Sequence, residues 1–408
     1  MTIFKIIAIF ITLAALASYI NYRYIKLPST IGLMVVGLGM SLSLIGLSSL
    51  GVDVLGPMEG VLRQIDFSDT LMKGMLSFLL FAGALKININ DLAKQKLVVG
   101  TLATAGVVVT TFLVGSAIYF ALMLFNFSIP YSYCLVFGAL IAPTDPVAVL
   151  AILKSVKTPK TLETKIAGES LFNDGVGVVV FTVLVGIAAG GDSVSFGPIA
   201  LLFIREAIGG VLFGLIIGLI AYRLLKNVDE HTVEILITLS LVVGGYALAS
   251  SLHTSGPIAI VVAGLLIGNY GRTLAMSVKT RVRLDDFWEM IDEILNAVLF
   301  VWIGLEILIL SFEPNFFLVG LIAIPLTLGA RFISVWSTIS IMKFKRQFSP
   351  DAIRILTWGG LRGGISIALA LSLAPGEARD LIVSITYVVV VFSILVQGLS
   401  IKRLIKPA

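Results

Sequence analysis

Ala142-Pro143-Thr144-Asp145-Pro146 and Glu169-Ser170-Leu171-Phe172-Asn173-Asp174-Gly175 are two short polar runs set inside the most apolar stretches of this chain. A carboxylate at the centre of a membrane costs roughly 2.5–3.5 kcal/mol on insertion scales. Asp145, Glu169 and Asp174 fall within thirty residues of one another, so each needs a partner. The usual partner of an intramembrane acid is a cation or a proton, and these two runs are therefore where the chemistry is expected.

The surrounding composition supports a membrane setting. The chain has 408 residues, 58% of them apolar and only 13% charged, with a mean hydropathy of +1.05. A soluble domain carries about 25% charged residues, so the reading is an all-α polytopic membrane protein. The net charge of +5 comes from basic residues scattered through short loops, which argues against a nucleic-acid partner. The one cysteine, Cys134, cannot form an internal disulfide, and His231 and His253 make no metal-ligand cluster. Lys5, the following apolar stretch and Ala15-Leu16-Ala17 resemble a cleavable signal. Arg23 and Lys26 follow the apolar run instead, which reads as a retained first helix.

A span needs about 20 mostly apolar residues. Thirteen are read, over residues 3–22, 29–48, 70–87, 97–125, 132–153, 163–191, 198–225, 232–252, 255–270, 288–311, 315–342, 352–374 and 379–401. The ninth is short, and it could pair with part of the amphipathic stretch 271–287. With the N-terminus outside and the C-terminus in the cytoplasm, 22 of the 29 Lys and Arg residues fall in cytoplasmic loops or the tail. This follows the positive-inside rule and fits a multi-pass protein of the cell (inner or plasma) membrane. The arrangement is read as a single transmembrane domain over 1–408 without a soluble regulatory domain. Two inverted six-helix repeats, about 1–191 and 232–404, are joined by the helix 198–225. Span 5 then corresponds to span 12. The first is interrupted by Pro143 and Pro146, the second by Gly359-Gly360-Leu361-Arg362-Gly363-Gly364. Interrupted helices at matching places in two halves point to a transporter's binding site.

Pro143 and Pro146 lack N–H groups and clash with the preceding turn, so helical bonding should fail around Thr144 and Asp145 and free carbonyls such as that of Thr144. In span 6, Glu169, Asn173, Ser170 and Asp174 lie at about 0°, 40°, 100° and 140° around the helix. They make one polar stripe on which Gly177 also falls, so another backbone can come close. Carboxylate, hydroxyl and amide oxygens suit a hard cation. Arg331, deep in span 11, and Arg362, early in span 12, are the candidate counter-charges. Helical rise puts Arg331 and Asp174 about 16 Å and Glu169 about 9 Å from the cytoplasmic ends of their helices. Glu169–Arg331 is the favoured structural ion pair, with Arg362 as the second candidate partner. Asp174 is left without a fixed partner and free to exchange a proton for a cation. Glu206, Glu234, Glu293 and Glu306 stand isolated near helix ends, and Asp292 and Glu293 could line a cytoplasmic funnel.

At these residues the chain resembles the monovalent cation:proton antiporters of the sodium/proton exchanger type. The resemblance rests on Thr144-Asp145-Pro146, on Glu169-Ser170 with Asn173-Asp174, and on Gly359-Gly360-Leu361-Arg362-Gly363-Gly364. Leu27-Pro28, Phe78-Leu79-Leu80-Phe81 and Ala330-Arg331 add to it. It implies a thirteen-helix antiporter fold with crossing, unwound helices, and a homodimer. It further implies that Asp174 takes a Na⁺ or a proton in turn, with Asp145, Ser170 and the Thr144 backbone carbonyl as further ligands, and that Glu169 pairs with Arg331. Asn173 stands where electrogenic relatives carry a second acid, which by resemblance implies one-for-one exchange. The short tail after span 13 suits a bacterial-type protein. The expected function is exchange of Na⁺ (or Li⁺) for H⁺ in contact with membrane lipid, without a cofactor and without enzymatic chemistry. A K⁺/H⁺ antiporter is the nearest alternative; a cation channel or a non-transporting membrane sensor is the alternative of another class.

Overall fold

The computed structural model describes residues 3–51, 55–62, 64–155, 160–190, 196–310, 313–343, 348 and 351–404. The expected span ends at residues 191 and 311 lie outside the described residues, as do the loop or tail cations Arg63, Lys157, Lys345, Arg346 and Lys406. The chain is all-helical, and its only β-like pairing among the described residues is an isolated antiparallel bridge between Asp145 and Leu361. Nine helices among the described residues are long and apolar enough to cross a membrane, from Phe4–Ile25 to Glu377–Leu404. Each of the other expected spans also falls on helix. Residues 67–86 and Val278–Glu306 are continuous; 131–155 and 352–371 are each broken into two pieces.

The ninth span extends past its expected end. Its helix runs through Gly256–Leu274 and stops at Ala275. Residues 271–274 of the amphipathic stretch continue it, so part of that stretch does pair with the ninth span. From Val278 onward that stretch is the first half of the tenth helix, with Ser277 capping the Thr280 N–H through its side chain. A serine with free hydroxyl oxygen ahead of a helix satisfies one of the orphan N–H groups there, which is why the helix starts at that point.

The helices pack as two bundles. One, the companion bundle, joins the helices over 4–25, 29–49, 67–86, 231–251, 256–274 and 278–306. The other, the site bundle, joins those over 89–124, 131–155, 160–190, 314–342, 352–371 and 377–404. The helix Phe196–Lys226 lies against helices of both. Lipid tails are as apolar as leucine, so close approach and interhelical hydrogen bonds hold such helices together. In the companion bundle Gly37 and Gly304 let two backbones touch, and Ser41 Oγ donates to the Gly304 carbonyl at 2.9 Å. The first helix keeps a largely exposed apolar face, with Phe4, Ile7 and Ile11 open, whereas Glu377–Leu404 runs through the middle of the site bundle with 78% of its apolar window buried.

Candidate ion-binding site

The two broken helices cross at their breaks. Tyr131–Ile141 ends ahead of Pro143, and Val147–Ser155 begins behind Pro146. Ala352–Trp358 ends at Gly359, and Gly364–Leu371 resumes after Gly363. Between them the Asp145 N–H donates to the Leu361 carbonyl at 2.7 Å. The prolines remove the donors that would have continued the first helix. The glycines of the second break leave room for side chains to come in: a Cβ on Gly363 would sit 2.7 Å from the Asp145 Cβ, and one on Gly360 2.7 Å from Arg331 Nε.

Three of the four ends exposed by the breaks meet a group of opposite charge. Arg362 donates through Nη1 to the Ala142 and Pro143 carbonyls at the end of the first half-helix. Arg331 donates to the Leu356 carbonyl through Nη2 at 3.0 Å, near the end of the other half-helix. The Asp145 carboxylate accepts from the Val147 N–H at 2.9 Å, at the start of the half-helix that follows it. A helix C-terminus carries partial negative charge and an N-terminus partial positive charge, so all three contacts are electrostatically favourable.

The polar stripe of Lys160–Gly190 faces this crossing. Glu169 takes a two-pronged contact from Arg331, through Nη1 to Oε1 and through Nη2 to Oε2, the second at 3.0 Å. Both residues are buried. Arg362, weighed as the alternative partner of Glu169, does not fill that role, because the carbonyls freed by the prolines hold its guanidinium. At the next residue, Ser170 Oγ and Thr144 Oγ1 share a hydrogen bond of 2.9 Å. Asn173 clamps the same threonine: its Nδ2 donates to Thr144 Oγ1 at 2.9 Å, and its Oδ1 accepts from the Thr144 N–H. The approach expected at Gly177 comes from the Pro143 ring, which fills the space where a Cβ would stand.

Asp174 is 8% exposed, and among the described residues no hydrogen bond or ion pair reaches its carboxylate. It lies within Coulombic reach of Asp145. Among the described residues the Thr144 carbonyl also accepts no hydrogen bond. The crossing therefore gathers two carboxylates, a hydroxyl and a free backbone carbonyl, with one of the carboxylates unpaired. Oxygen donors of this kind suit a hard cation, and a buried carboxylate without a counter-charge favours its protonated form. Among the described residues no cluster of three or more His, Cys, Asp or Glu side chains forms a resident metal site.

Sequence reasoning did not find every residue that shapes the crossing. Ser393 Oγ accepts from the Arg362 N–H at 2.9 Å, and Gln397 Nε2 donates to the Trp358 carbonyl at 3.0 Å. Both are single polar residues on one face of the last helix, a pattern that alone does not separate a site from a packing seam. Glu234 and Glu306 lie near helix ends, as their positions suggest, but both are buried in the companion bundle.

The model of the sodium/hydrogen exchanger transmembrane family matches residues 10–406. This chain belongs to that family. It is 50% identical over 406 residues to the Na⁺/H⁺ antiporter NhaP of Pseudomonas aeruginosa, covering 98% of this chain and 96% of that protein. It is 35% identical over 412 residues to the Na⁺/H⁺ antiporter NhaH of Halobacillus dabanensis, covering 99% and 96%. The structure of the sodium proton antiporter MjNhaP1 of Methanocaldococcus jannaschii superposes with a TM-score of 0.74 at 20% identity, over 97% of this chain and 96% of that one. That likeness establishes an antiporter fold. Family and helices together make this a multi-pass membrane protein.

Proposed function

We propose that this member of the sodium/hydrogen exchanger family exchanges Na⁺ for H⁺ across its membrane, with the two ions alternating at Asp174. The observation that carries the reading is the buried Asp174 carboxylate, unpaired among the described residues, at the crossing of the two breaks. Na⁺ entering the crossing meets Asp174, Asp145, the Ser170 hydroxyl and the Thr144 carbonyl. When it leaves, a proton on Asp174 removes the charge that would otherwise stay buried. The family match and the names of the two relatives support Na⁺ and H⁺ as the pair. Glu169 and Arg331 hold each other neutral and keep the polar stripe in register with the breaks. Asn173 is uncharged and occupied by Thr144, so it adds no second exchangeable proton, and one Na⁺ crosses per H⁺. The concentration of basic residues in alternate loops supports a cytoplasmic C-terminus.

Purified protein in liposomes with a pH-sensitive dye inside tests this reading, challenged in turn with Na⁺, Li⁺ and K⁺. Na⁺ should drive proton flux, and Asp174→Asn should abolish it while the protein stays folded and inserted. Because proton and Na⁺ exclude each other, acidifying the Na⁺ side should raise the apparent KM for Na⁺ and leave the maximal rate nearly unchanged. Once K⁺ is shown not to be a substrate, a potential imposed with valinomycin and K⁺ should leave the flux unaltered. Substantial flux in Asp174→Asn, or a lower KM on acidification, would overturn the shared site; voltage dependence would overturn the one-for-one ratio.

A further inference from the structure

A second polar stripe faces the crossing from the companion bundle. On the helix Val278–Glu306, Asp292, Asn296 and Leu299 stand at successive turns of one face. Leu299 packs against Gly364, immediately beyond the glycine that touches Asp145. Asn296 and Asp292 therefore lie one and two turns back along the same seam between the bundles. Asn296 Nδ2 donates to Asp292 Oδ1 at 2.9 Å, and Lys86 Nζ donates to Asp292 Oδ2 at 2.8 Å. Lys86 ends the helix Leu76–Lys86, so the pair joins two helices of the companion bundle.

The pair is not sealed. The Asp292 side chain is 20% exposed and that of Lys86 41%, while Glu169 and Arg331 are at 2% and 6%. Asp145 is half-buried, and the charge of Asp292 acts on that of Asp145 across the seam. An exposed ion pair contributes little to stability. This one nevertheless stands on the seam that leads to Gly364 and Asp145, and it keeps part of its carboxylate open to solvent. The neighbouring cation, Arg272, is already committed to the Leu85 carbonyl and to Asp285. Among the described residues Lys86 is thus the cation paired with Asp292.

We propose that Asp292 is an entry station for the transported monovalent cation, and that the Lys86 ammonium occupies it until the cation displaces it. A carboxylate at the mouth of a low-dielectric cleft raises the local concentration of cations ahead of the binding step. The lysine then lowers apparent affinity by competition. This inference rests on the Na⁺/H⁺ exchange proposed above, and Asp292 acts as a positioning residue through the Asp145–Asp174 crossing.

Sodium-driven proton flux is measured in liposomes for the parent, Asp292→Asn, Asp292→Glu and Lys86→Gln, with thermal stability of each in detergent. Asp292→Asn should raise the KM for Na⁺ about tenfold with kcat unchanged, and Asp292→Glu should restore it. Lys86→Gln should move KM the opposite way, to a lower value. The difference between the parent and Asp292→Asn should shrink when choline chloride raises ionic strength, because the attraction is screened. A purely structural pair predicts otherwise: both partners' variants would lose stability and shift kinetics in one direction. That pattern, or an unchanged KM in Asp292→Asn, would overturn the proposal. If Asp292→Asn does not fold, the sign of the Lys86→Gln shift decides. Loss of all sodium-driven flux in the parent, or its persistence in Asp174→Asn, would instead strike the exchange reading itself.

Discussion

The two broken helices do opposite work at their crossing. The break at 142–146 is made by prolines, which delete N–H donors and so leave oxygens exposed. Two of those carbonyls go to Arg362, and that of Thr144 stays free. The break at 359–363 is made largely by glycines, which keep their donors and delete side chains. Its gift is space, taken up by Arg331 at Gly360 and by Asp145 at Gly363, and positive charge, in Arg362 itself. One break supplies the oxygens proposed as cation ligands. The other supplies the room and counter-charge that let those ligands sit in an apolar bundle.

If that division is right, the arginines are unequal. Removing one partner of a buried ion pair costs about 3–5 kcal/mol, because the other charge is left alone. Arg331→Ala strands Glu169 and should show this loss in detergent melting, as should Glu169→Gln. Arg362→Ala strands only neutral carbonyls and should cost about 1–3 kcal/mol. An Arg362 variant melting below the Arg331 variant would reverse the comparison.

The space at the second break is tested next. Gly363→Ala forces a methyl against Asp145. Overpacking costs about 1–3 kcal/mol, and turnover should fall further than stability does, because Asp145 must move. Gly74→Ala, where nothing lies within 4 Å, is the control and should melt and transport like the parent. Equal behaviour of the two alanines would mean that the close approach at Gly363 is unimportant.

The smallest effect belongs to the clamp on the proline side. Asn173→Ala removes the hydrogen bonds that fix Thr144, each contributing about 0.5–1.5 kcal/mol. The protein should still fold and exchange, with a raised KM for Na⁺ as the Thr144 carbonyl loses its fixed position. An unchanged KM would show that the break holds its shape without Asn173.

Much of this was legible along the chain. The apolar spans, both breaks and the stripe from Glu169 to Asp174 follow from hydropathy, proline chemistry and helical periodicity. Those are local properties, and most helices stand close to the expected boundaries; the fourth and tenth begin earlier, at Ile89 and Val278, where the expected spans start at 97 and 288. The amphipathic stretch 271–287 is divided between two helices, residues 271–274 extending the ninth span and Val278 onward opening the next, a division that its period alone does not fix. A break of three residues after Leu274, followed by a serine cap, decided the matter.

The sequence by itself determined where the chain could be helical, where it had to break and which acids lay inside the membrane, since each depends on residues a few positions apart. Which charge answers which acid was decided only by the tertiary structure. Glu169 and Arg331 are separated by 162 residues, and Arg362 and Ala142 by 220. At such separations depth along a helix can favour Arg331 for Glu169 but cannot say what holds Arg362. The choice follows from which carbonyls the prolines leave without donors, and from the glycines that let one break settle into the other.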